Sequence, residues 1–183
     1  MDVELIDVLG TDLTVVNAAR VSFQNHHDAL EEKDERLIAY LARHGHWTPF
    51  GHPQLQFRIS APVFVARQLV KHQVGLVWNE VSRRYVDALP IFYSPNKWRD
   101  KALNKKQGSG EGSVDIDSRT IEGFYVAALT LYQDLLSNGV APEQARMILP
   151  QSMYTEWYWT GSLYAFARVC NLRLAEDAQE ETR

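Results

Sequence analysis

The sequence predicts a single domain of mixed α/β (α+β) class, and two patterns carry that prediction. Apolar and polar residues alternate in QLQFRIS (54–60), which is typical of a half-buried strand. Apolar residues recur at helical spacing over residues 120–137 and Gly139 provides a stop, so a long helix is expected there. The 183 residues are enough for one hydrophobic core, and they show no internal repeat and no linker between two cores. We therefore expect one domain over residues 1–183.

The other elements follow from the same signals in chain order. VELIDVL (3–9) has strand-forming residues, and MYTEWYWT (153–160) is expected to be a strand or an interface segment. Gly45 ends one helical stretch, while Pro62 and Pro142 occupy first-turn positions of two others. The helices are expected from Thr11 or Asp12 to Arg20, from about Glu31 to His44, and over residues 63–72, 142–148 and 162–174.

The segment between Tyr93 and Arg119 differs in composition from the rest of the chain. Residues 96–117 are charged, contain Gly and Ser, and have few large apolar side chains, so we expect a long mobile loop. Its GSGEGS run (108–113) invites comparison with a phosphate-binding loop, but no Lys-Ser or Lys-Thr pair follows it and no strand precedes it. A flexible tether is the favoured interpretation.

Composition excludes several classes of protein. The formal net charge of −4 gives no general attraction to nucleic acid or to anionic membranes. No apolar run approaches the roughly 20 residues of a membrane span, and the acidic first residues do not resemble a secretory signal, so we expect a cytoplasmic protein. The single cysteine, Cys170, excludes an intramolecular disulfide and a multi-cysteine metal site, and its apolar neighbours predict burial.

The stretch from Arg67 to Tyr85 concentrates positive charge in an acidic chain, with Glu80 as its one acid. A solvated face is one interpretation. The other is an anion site, because serine is a short neutral donor and arginine offers a planar bidentate fork to phosphate. On the predicted helix, Gln68 and Lys71 share a face. The basic residues are Arg67, Lys71, His72, Arg83 and Arg84, interleaved with Gln68, Asn79, Ser82 and Tyr85.

A second polar cluster, RHGHWTPFGH (43–52), contains three histidines. They are consistent with a helix end whose carbonyls they cap, with a contact to a small ligand, or with a zinc or iron site. No acidic residue stands at close ligand spacing, which counts against the metal. The histidines are His44, His46 and His52, and Thr48 lies between the last two.

Two arginines late in the chain lie in apolar surroundings. Arg146 is in QARMILP and Arg173 is in CNLRL. A lone arginine in such a position is usually paired with a carboxylate at the edge of the core. Two of them, together with the Arg67–Tyr85 stretch, favour a shared anionic or carbonyl-bearing ligand.

The motifs, taken in order, resemble the flavin-dependent thymidylate synthases. The similarity extends from Val3 to the end and rests on ARVSF, RHGHWTPFGH, PVFVARQLVKHQ, NEVSRRY, ARMILPQSMYTEWYWT, NLRL and AQEE. The resemblance implies a homotetramer whose central, mostly antiparallel sheet is flanked by helices and whose FAD lies at subunit interfaces. It implies transfer of a methylene group from methylenetetrahydrofolate to carbon 5 of dUMP, giving dTMP, with NADPH reducing the flavin. An inert Cys170 agrees with this family, whose members need no cysteine nucleophile.

The resemblance also implies roles for individual residues, and it implies no metal. Residues 71–73 occupy the family's Arg-His-Arg motif, and Arg173 matches the arginine that grips the uracil ring and favours charge developing on it, as a catalytic residue. The implied substrate contacts are Gln68, Lys71, Glu80, Ser82, Arg83, Arg84, Arg146 and Arg173. The implied flavin contacts are His46, Thr48, Lys71, His72, Gln73, Glu80, Ser162, Tyr164 and Arg168.

The departures from the family lie mainly on the flavin side. Lys71 and Gln73 replace two bidentate forks with a point charge and a neutral amide. The segment from that motif to Ser82 is one residue longer than the family norm, and the chain ends before the family's last helical segment. Where the family has asparagine, arginine and asparagine, this chain has Ser162, Tyr164 and Arg168. We therefore expect weaker binding of FAD and ordinary binding of dUMP.

Three alternatives remain open from the sequence. Water could capture the methylene adduct and give 5-hydroxymethyl-dUMP, or the same scaffold could act on dCMP. The chain could be a nucleotide-binding or regulatory homologue with reduced catalysis, which the changed motif favours. A metalloenzyme built on the histidines is the third.

Overall fold

A four-stranded antiparallel sheet is the centre of the fold in the computed structural model, which describes residues 1–103 and 108–183. The strands stand in the order β1-β2-β4-β3, and every neighbouring pair is antiparallel. The strand expected in QLQFRIS is confirmed, and MYTEWYWT contributes a central strand. The strands are β1 (Asp2–Leu9), β2 (Gln54–Pro62), β3 (Leu76–Glu80) and β4 (Tyr154–Ser162).

Helices flank this sheet, which confirms the mixed α/β class. None of the helices in residues 1–103 and 108–183 is long and apolar enough to cross a membrane. Single 3₁₀ turns lie at Val21–Phe23, Thr48–Gly51, Arg146–Ile148 and Glu180–Thr182. The helices are α1 (Asp12–Arg20), α2 (Glu32–Arg43), α3 (Val63–Leu69), α4 (Ser118–Ser137), α5 (Pro142–Ala145) and α6 (Leu163–Arg173).

The predicted helix over residues 63–72 is wrong at its end, and β3 was not predicted. Helix α3 stops at Leu69, and a turn through Gly75 leads into the new strand. Gly75 has φ of +77°, and a Cβ there would lie 3.2 Å from the Cβ of Ala165. Glycine therefore fits both the backbone angle and the close approach to α6. The five-residue strand is set by pairing with β4, a non-local contact that leaves little signal in its own sequence.

The core lies between one face of the sheet and helices α3 and α6. Alternation along β4 places Trp157 and Trp159 in this core, whereas Tyr158 is 45% exposed on the opposite face. Trp157 stacks on Trp78 of β3 with ring centroids 4.3 Å apart. The aromatic side chains of β4 are therefore divided between the core and the exposed face of the sheet.

The predicted burial of Cys170 is wrong, because the cysteine is exposed. Helix α6 turns Ala165, Phe166 and Val169 into the core, at spacings that define one helix face. Cys170 lies one residue further round and outside that face. An apolar run alone did not reveal which side of the helix is buried.

A buried carboxylate joins α1 to α2. Asp34, which is 0% exposed, accepts hydrogen bonds from Arg20 at 2.6 Å and pairs with Nδ1 of His27 at 2.8 Å. Burial raises the pKa of Asp34, but the hydrogen bonds from Arg20 and His27 outweigh it and lower the pKa to about 2. Because this pKa is depressed, the pair stabilises the fold above pH 4 or so and loses that effect as pH falls toward 2. It fixes α2 and, with it, the histidine-bearing segment that follows.

The expected mobile loop over residues 96–117 includes positions 104–107, which lie outside the described residues. Its described parts contain neither helix nor extended strand, only an isolated bridge between Arg99 and Ser113. Gly110 and Gly112 lie against the carboxylate of Asp100, where a Cβ on either would collide with it. The GSGEGS run thus packs closely here, and the mobility of the loop stays a prediction.

Candidate functional site

One cavity brings together three of the residues implied as substrate contacts. Its volume is about 480 Å³, and Glu80, Arg83 and Arg146 all line it. Glu80 ends β3, Arg83 follows in the next turn, and Arg146 begins the 3₁₀ turn after α5. Within residues 1–103 and 108–183, neither arginine has a carboxylate oxygen within 4.0 Å. No described carboxylate therefore neutralises the two guanidinium groups, and both are available to bind an anion.

Glu80 is held in place by two donors. Thr155 on β4 donates its hydroxyl to Oε1 at 2.8 Å, and Nε1 of Trp78 donates to Oε2 at 3.2 Å. The carboxylate thereby takes one orientation at the edge of the cavity. Sequence reasoning missed both partners, because the contact with Thr155 depends on the pairing of β3 with β4.

The turn after β3 carries Ser82, Arg83 and Arg84. Oγ of Ser82 accepts from Nε of Arg84 at 3.2 Å, and the Arg84 guanidinium lies 5.0 Å from the ring centre of Tyr85. Arg83 donates to the carbonyl of Ala88. These contacts hold two cations beside a serine hydroxyl, an arrangement suited to a phosphate group.

Arg173, the last residue of α6, lies with two other predicted residues in a second group. Its Nε donates to Nε2 of His72 at 2.9 Å, and one of its terminal nitrogens donates to the backbone carbonyl of Gln68 at 3.3 Å. Burial, reinforced by the charges of Arg173 and Arg168, lowers the pKa of His72. A neutral imidazole can accept this hydrogen bond, so Arg173 is held by neutral groups and not by the carboxylate expected from its apolar surroundings.

A third group lines a separate cavity of about 360 Å³, which includes His46 and Tyr164. Trp47 and Phe50 also line it, and the rings of Trp47 and Tyr164 have centroids 5.5 Å apart. Arg168 lies 5.9 Å from the centre of the Tyr164 ring. Aromatic walls with a cation beside them suit a flat conjugated ligand. Trp47 was passed over in the sequence although it stands inside the histidine motif.

The turn after α3 lies against the start of α6 and connects these groups. Ser162 caps α6 by accepting from the backbone N–H of Ala165 at 3.2 Å, and its own N–H donates to the carbonyl of Gly75 at 3.4 Å. Lys71 and Gln73 are exposed on this turn. The prediction that Gln68 and Lys71 share a helix face is wrong, because α3 ends between them. Thr48, at the start of its 3₁₀ turn, is also exposed.

The histidines do not form a metal centre in the part of the chain that the structure describes. No three His, Cys, Asp or Glu side chains there are placed to hold a metal ion. His44 and His46 instead lie beside the ring of Tyr40, with centroid distances of 4.3 and 6.1 Å.

Comparisons with known proteins agree with this geometry. The family described as "Thy1: Thymidylate synthase complementing protein" matches residues 4–183. The flavin-dependent thymidylate synthase of Thermosipho africanus is 39% identical over 185 residues, covering 97% of this chain and 78% of that protein. The enzyme of the same name from Thermus thermophilus is 40% identical over 182 residues, covering 99% of this chain and 67% of that protein.

A solved structure is similar over the whole chain. The UMP/dUMP methylase PolB from Streptomyces cacaoi, bound with 5-Br UMP, gives a TM-score of 0.86 at 32% identity and covers 99% of this chain and 83% of that one. These matches define the class of protein, which is an enzyme that transfers a one-carbon group. The chain belongs to the thymidylate synthase complementing protein family, which confirms the resemblance seen in the motifs.

Proposed function

We propose that this protein methylates dUMP at carbon 5 and forms dTMP, with methylenetetrahydrofolate as the carbon donor. FAD is the proposed flavin and NADPH its reductant. The observation that carries the proposal is Arg173, a half-buried arginine whose hydrogen-bond acceptors among residues 1–103 and 108–183 are all neutral, in a chain whose relatives are flavin-dependent thymidylate synthases. Because these partners do not neutralise its positive charge, Arg173 is available to interact with a ligand.

Arg83 and Arg146 are the proposed phosphate partners. They line one cavity, and each can offer two parallel N–H donors to phosphate oxygens. Glu80 also lines that cavity, where a carboxylate favours hydroxyl donors of a sugar over a second anion. The remaining proposed nucleotide contacts are Gln68, Lys71, Ser82 and Arg84.

Arg173 is the proposed catalytic residue. Bond formation at carbon 5 requires the uracil ring to carry negative charge, and a fixed guanidinium stabilises that charge without reorganising. His72 and the Gln68 carbonyl use two of its N–H groups, and the others remain for the pyrimidine.

The residues of the third group fit a flavin in chemical type. The cavity walled by Trp47 and Tyr164 suits a planar ring, and Arg168 adds a cation beside it. A flavin held there and reduced by NADPH would supply the hydride that converts the transferred methylene into a methyl group, and it would itself be left oxidised. The proposed flavin contacts are His46, Thr48, Lys71, His72, Gln73, Glu80, Ser162, Tyr164 and Arg168.

The test of the function is incubation with dUMP, methylenetetrahydrofolate, FAD and NADPH, followed by mass analysis of the nucleotide. Parallel reactions with dCMP and UMP define the base and the sugar that are accepted. A methyl adduct on dUMP is the expected product. A hydroxymethyl adduct would favour capture by water, and dUMP binding without any product would favour a nucleotide-binding homologue.

We expect a homotetramer in solution. Strand β1 is an edge strand of the sheet in the part of the chain that the structure describes, and its apolar side chains, including Val3, Leu5 and Val8, are exposed along the whole strand. One chain also distributes the proposed site residues over separate places, which a neighbouring subunit could complete. Light scattering at micromolar concentration should give the mass of four chains. A fully active monomer would contradict the proposal.

Turnover should fall as the pH is lowered, because of His72. Its pKa is below the ordinary 6.5, so folding favours the neutral form, and stability as well as the Arg173 hydrogen bond weaken as pH falls from 6.5 through the lowered pKa. The measurement is kcat against pH for the native enzyme and for His72→Gln. The glutamine oxygen accepts at every pH, so the acid limb should flatten even if the rate is lower. An unchanged acid limb in His72→Gln would assign it to another group.

A further inference from the structure

A chain of hydrogen bonds links Gln68 to the segment that follows α6. Gln68 donates its amide Nε2 to Oε1 of Gln179. Gln179 in turn donates Nε2 to Oε2 of Glu181 at 2.9 Å. Oε1 of Glu181 accepts from Arg99 at 2.6 Å. The four residues come from three distant parts of the sequence, so the chain exists only in the folded protein.

The carboxylate of Glu181 fixes the direction of both amides. Burial raises the pKa of Glu181, but hydrogen bonds from Arg99 and Gln179 outweigh it, and the net effect lowers that pKa. An ionised carboxylate only accepts, so Gln179 must turn its NH₂ toward Glu181. Its oxygen then faces Gln68, which must present its own NH₂. Glu181 therefore sets the orientation of the Gln68 side-chain amide by way of Gln179.

Arg99 anchors the far end of this chain. Its guanidinium contacts Ser109 at 2.7 Å, Glu180 at 3.1 Å and Glu181 at 2.6 Å, so all three of its nitrogens are engaged. The Glu181 side chain is only 7% exposed, which shields the pair from water. The anchor therefore holds Glu181 in one position relative to Gln179.

We propose that Gln179 is a positioning residue for the nucleotide, acting through Gln68 and set in direction by Glu181. Gln68 is itself a proposed substrate contact, and its backbone carbonyl holds Arg173. A misdirected Gln68 therefore weakens the binding of a pyrimidine nucleoside monophosphate. This inference rests on the proposed function, because it concerns the same nucleotide.

The test exchanges donor and acceptor along this chain of hydrogen bonds. Gln179→Glu sets a carboxylate against Glu181 and removes a donor, so the Kd for dUMP should rise by about 10-fold or more. Gln179→Glu combined with Glu181→Gln restores the order, since the new carboxylate accepts from both Gln68 and residue 181 while residue 181 still accepts from Arg99. The double variant keeps the native net charge, and its Kd should return to within about threefold of native.

Calorimetric titration of the flavin-loaded protein with dUMP supplies the readout, and thermal melting of the same samples is recorded beside it. Gln133→Glu, an exposed position on α4, is the matched control for the charge change and should leave Kd unchanged. If Gln179→Glu lowers only Tm while Kd stays native, the role is structural and the inference is overturned. Failure of the double variant to recover affinity also overturns it. If the native protein does not bind dUMP, the proposed function fails, and this inference fails with it.

Discussion

Arg173→Ala should lower kcat by about 10²- to 10³-fold, the loss that removal of one charge-stabilising donor typically causes. The side chain is half-buried at the end of α6, and its partners are an imidazole and a backbone carbonyl. Neither partner becomes an uncompensated charge when the guanidinium is removed, so the fold should survive. The measurement is single-turnover formation of methylated dUMP, with circular dichroism and Tm on the same preparation.

Two further variants make this result specific. Arg173→Lys retains a charge but loses the planar fork, so its rate should lie between those of the native enzyme and the alanine variant. Arg119→Ala removes an exposed arginine whose ion pair is with Asp117 at the start of α4, and it should leave turnover unchanged. Near-native turnover in a well-folded Arg173→Ala would show that the catalytic role belongs to another residue.

Local signals in the sequence were sufficient for most of the fold. The alternation in QLQFRIS fixed both the existence of β2 and its inward face, because Ile59 is buried and Leu55 and Phe57 pack on the core. Glycine at the end of α2 has φ of +70°, as a helix stop requires. These features depend on residues within one turn or one strand, so they can be predicted without knowing which other elements they contact.

The elements that sequence reasoning missed depend on distant contacts. Strand β3 is defined by its neighbour β4, and the exposure of Cys170 is defined by which face of α6 meets the sheet. In the site, motif resemblance indicated Glu80, Arg173 and the two residues that hold Arg173, but not the groups that orient Glu80 and Gln68. Thr155 and Gln179 stand within motifs that carry the resemblance, but they approach Glu80 and Gln68 only after the chain folds, so the sequence did not reveal their roles.

Gln73→Arg should tighten the binding of FAD by roughly 10- to 100-fold and leave the binding of dUMP nearly unchanged. One charge-assisted hydrogen bond contributes on the order of 1.5–3 kcal/mol, and arginine offers such a bond where glutamine offers a neutral amide. Gln73 is exposed, and its turn is closed by its backbone carbonyl, which accepts from Leu76 at 3.2 Å. The substitution therefore changes the side chain without breaking the turn.

Because of where this turn lies, Gln73→Arg should affect the binding of the flavin and not that of the nucleotide. It packs against Ala165 and Ser162 at the start of α6, the helix that carries Tyr164 and Arg168. The test is a pair of titrations of apoprotein, with FAD and with dUMP, on native protein, Gln73→Arg and the exposed control Gln133→Arg. Only Gln73→Arg should change, and only toward FAD. If native protein already binds FAD tightly and Gln73→Arg weakens it, then Gln73 belongs to a rebuilt pocket in which Arg168 supplies the cation.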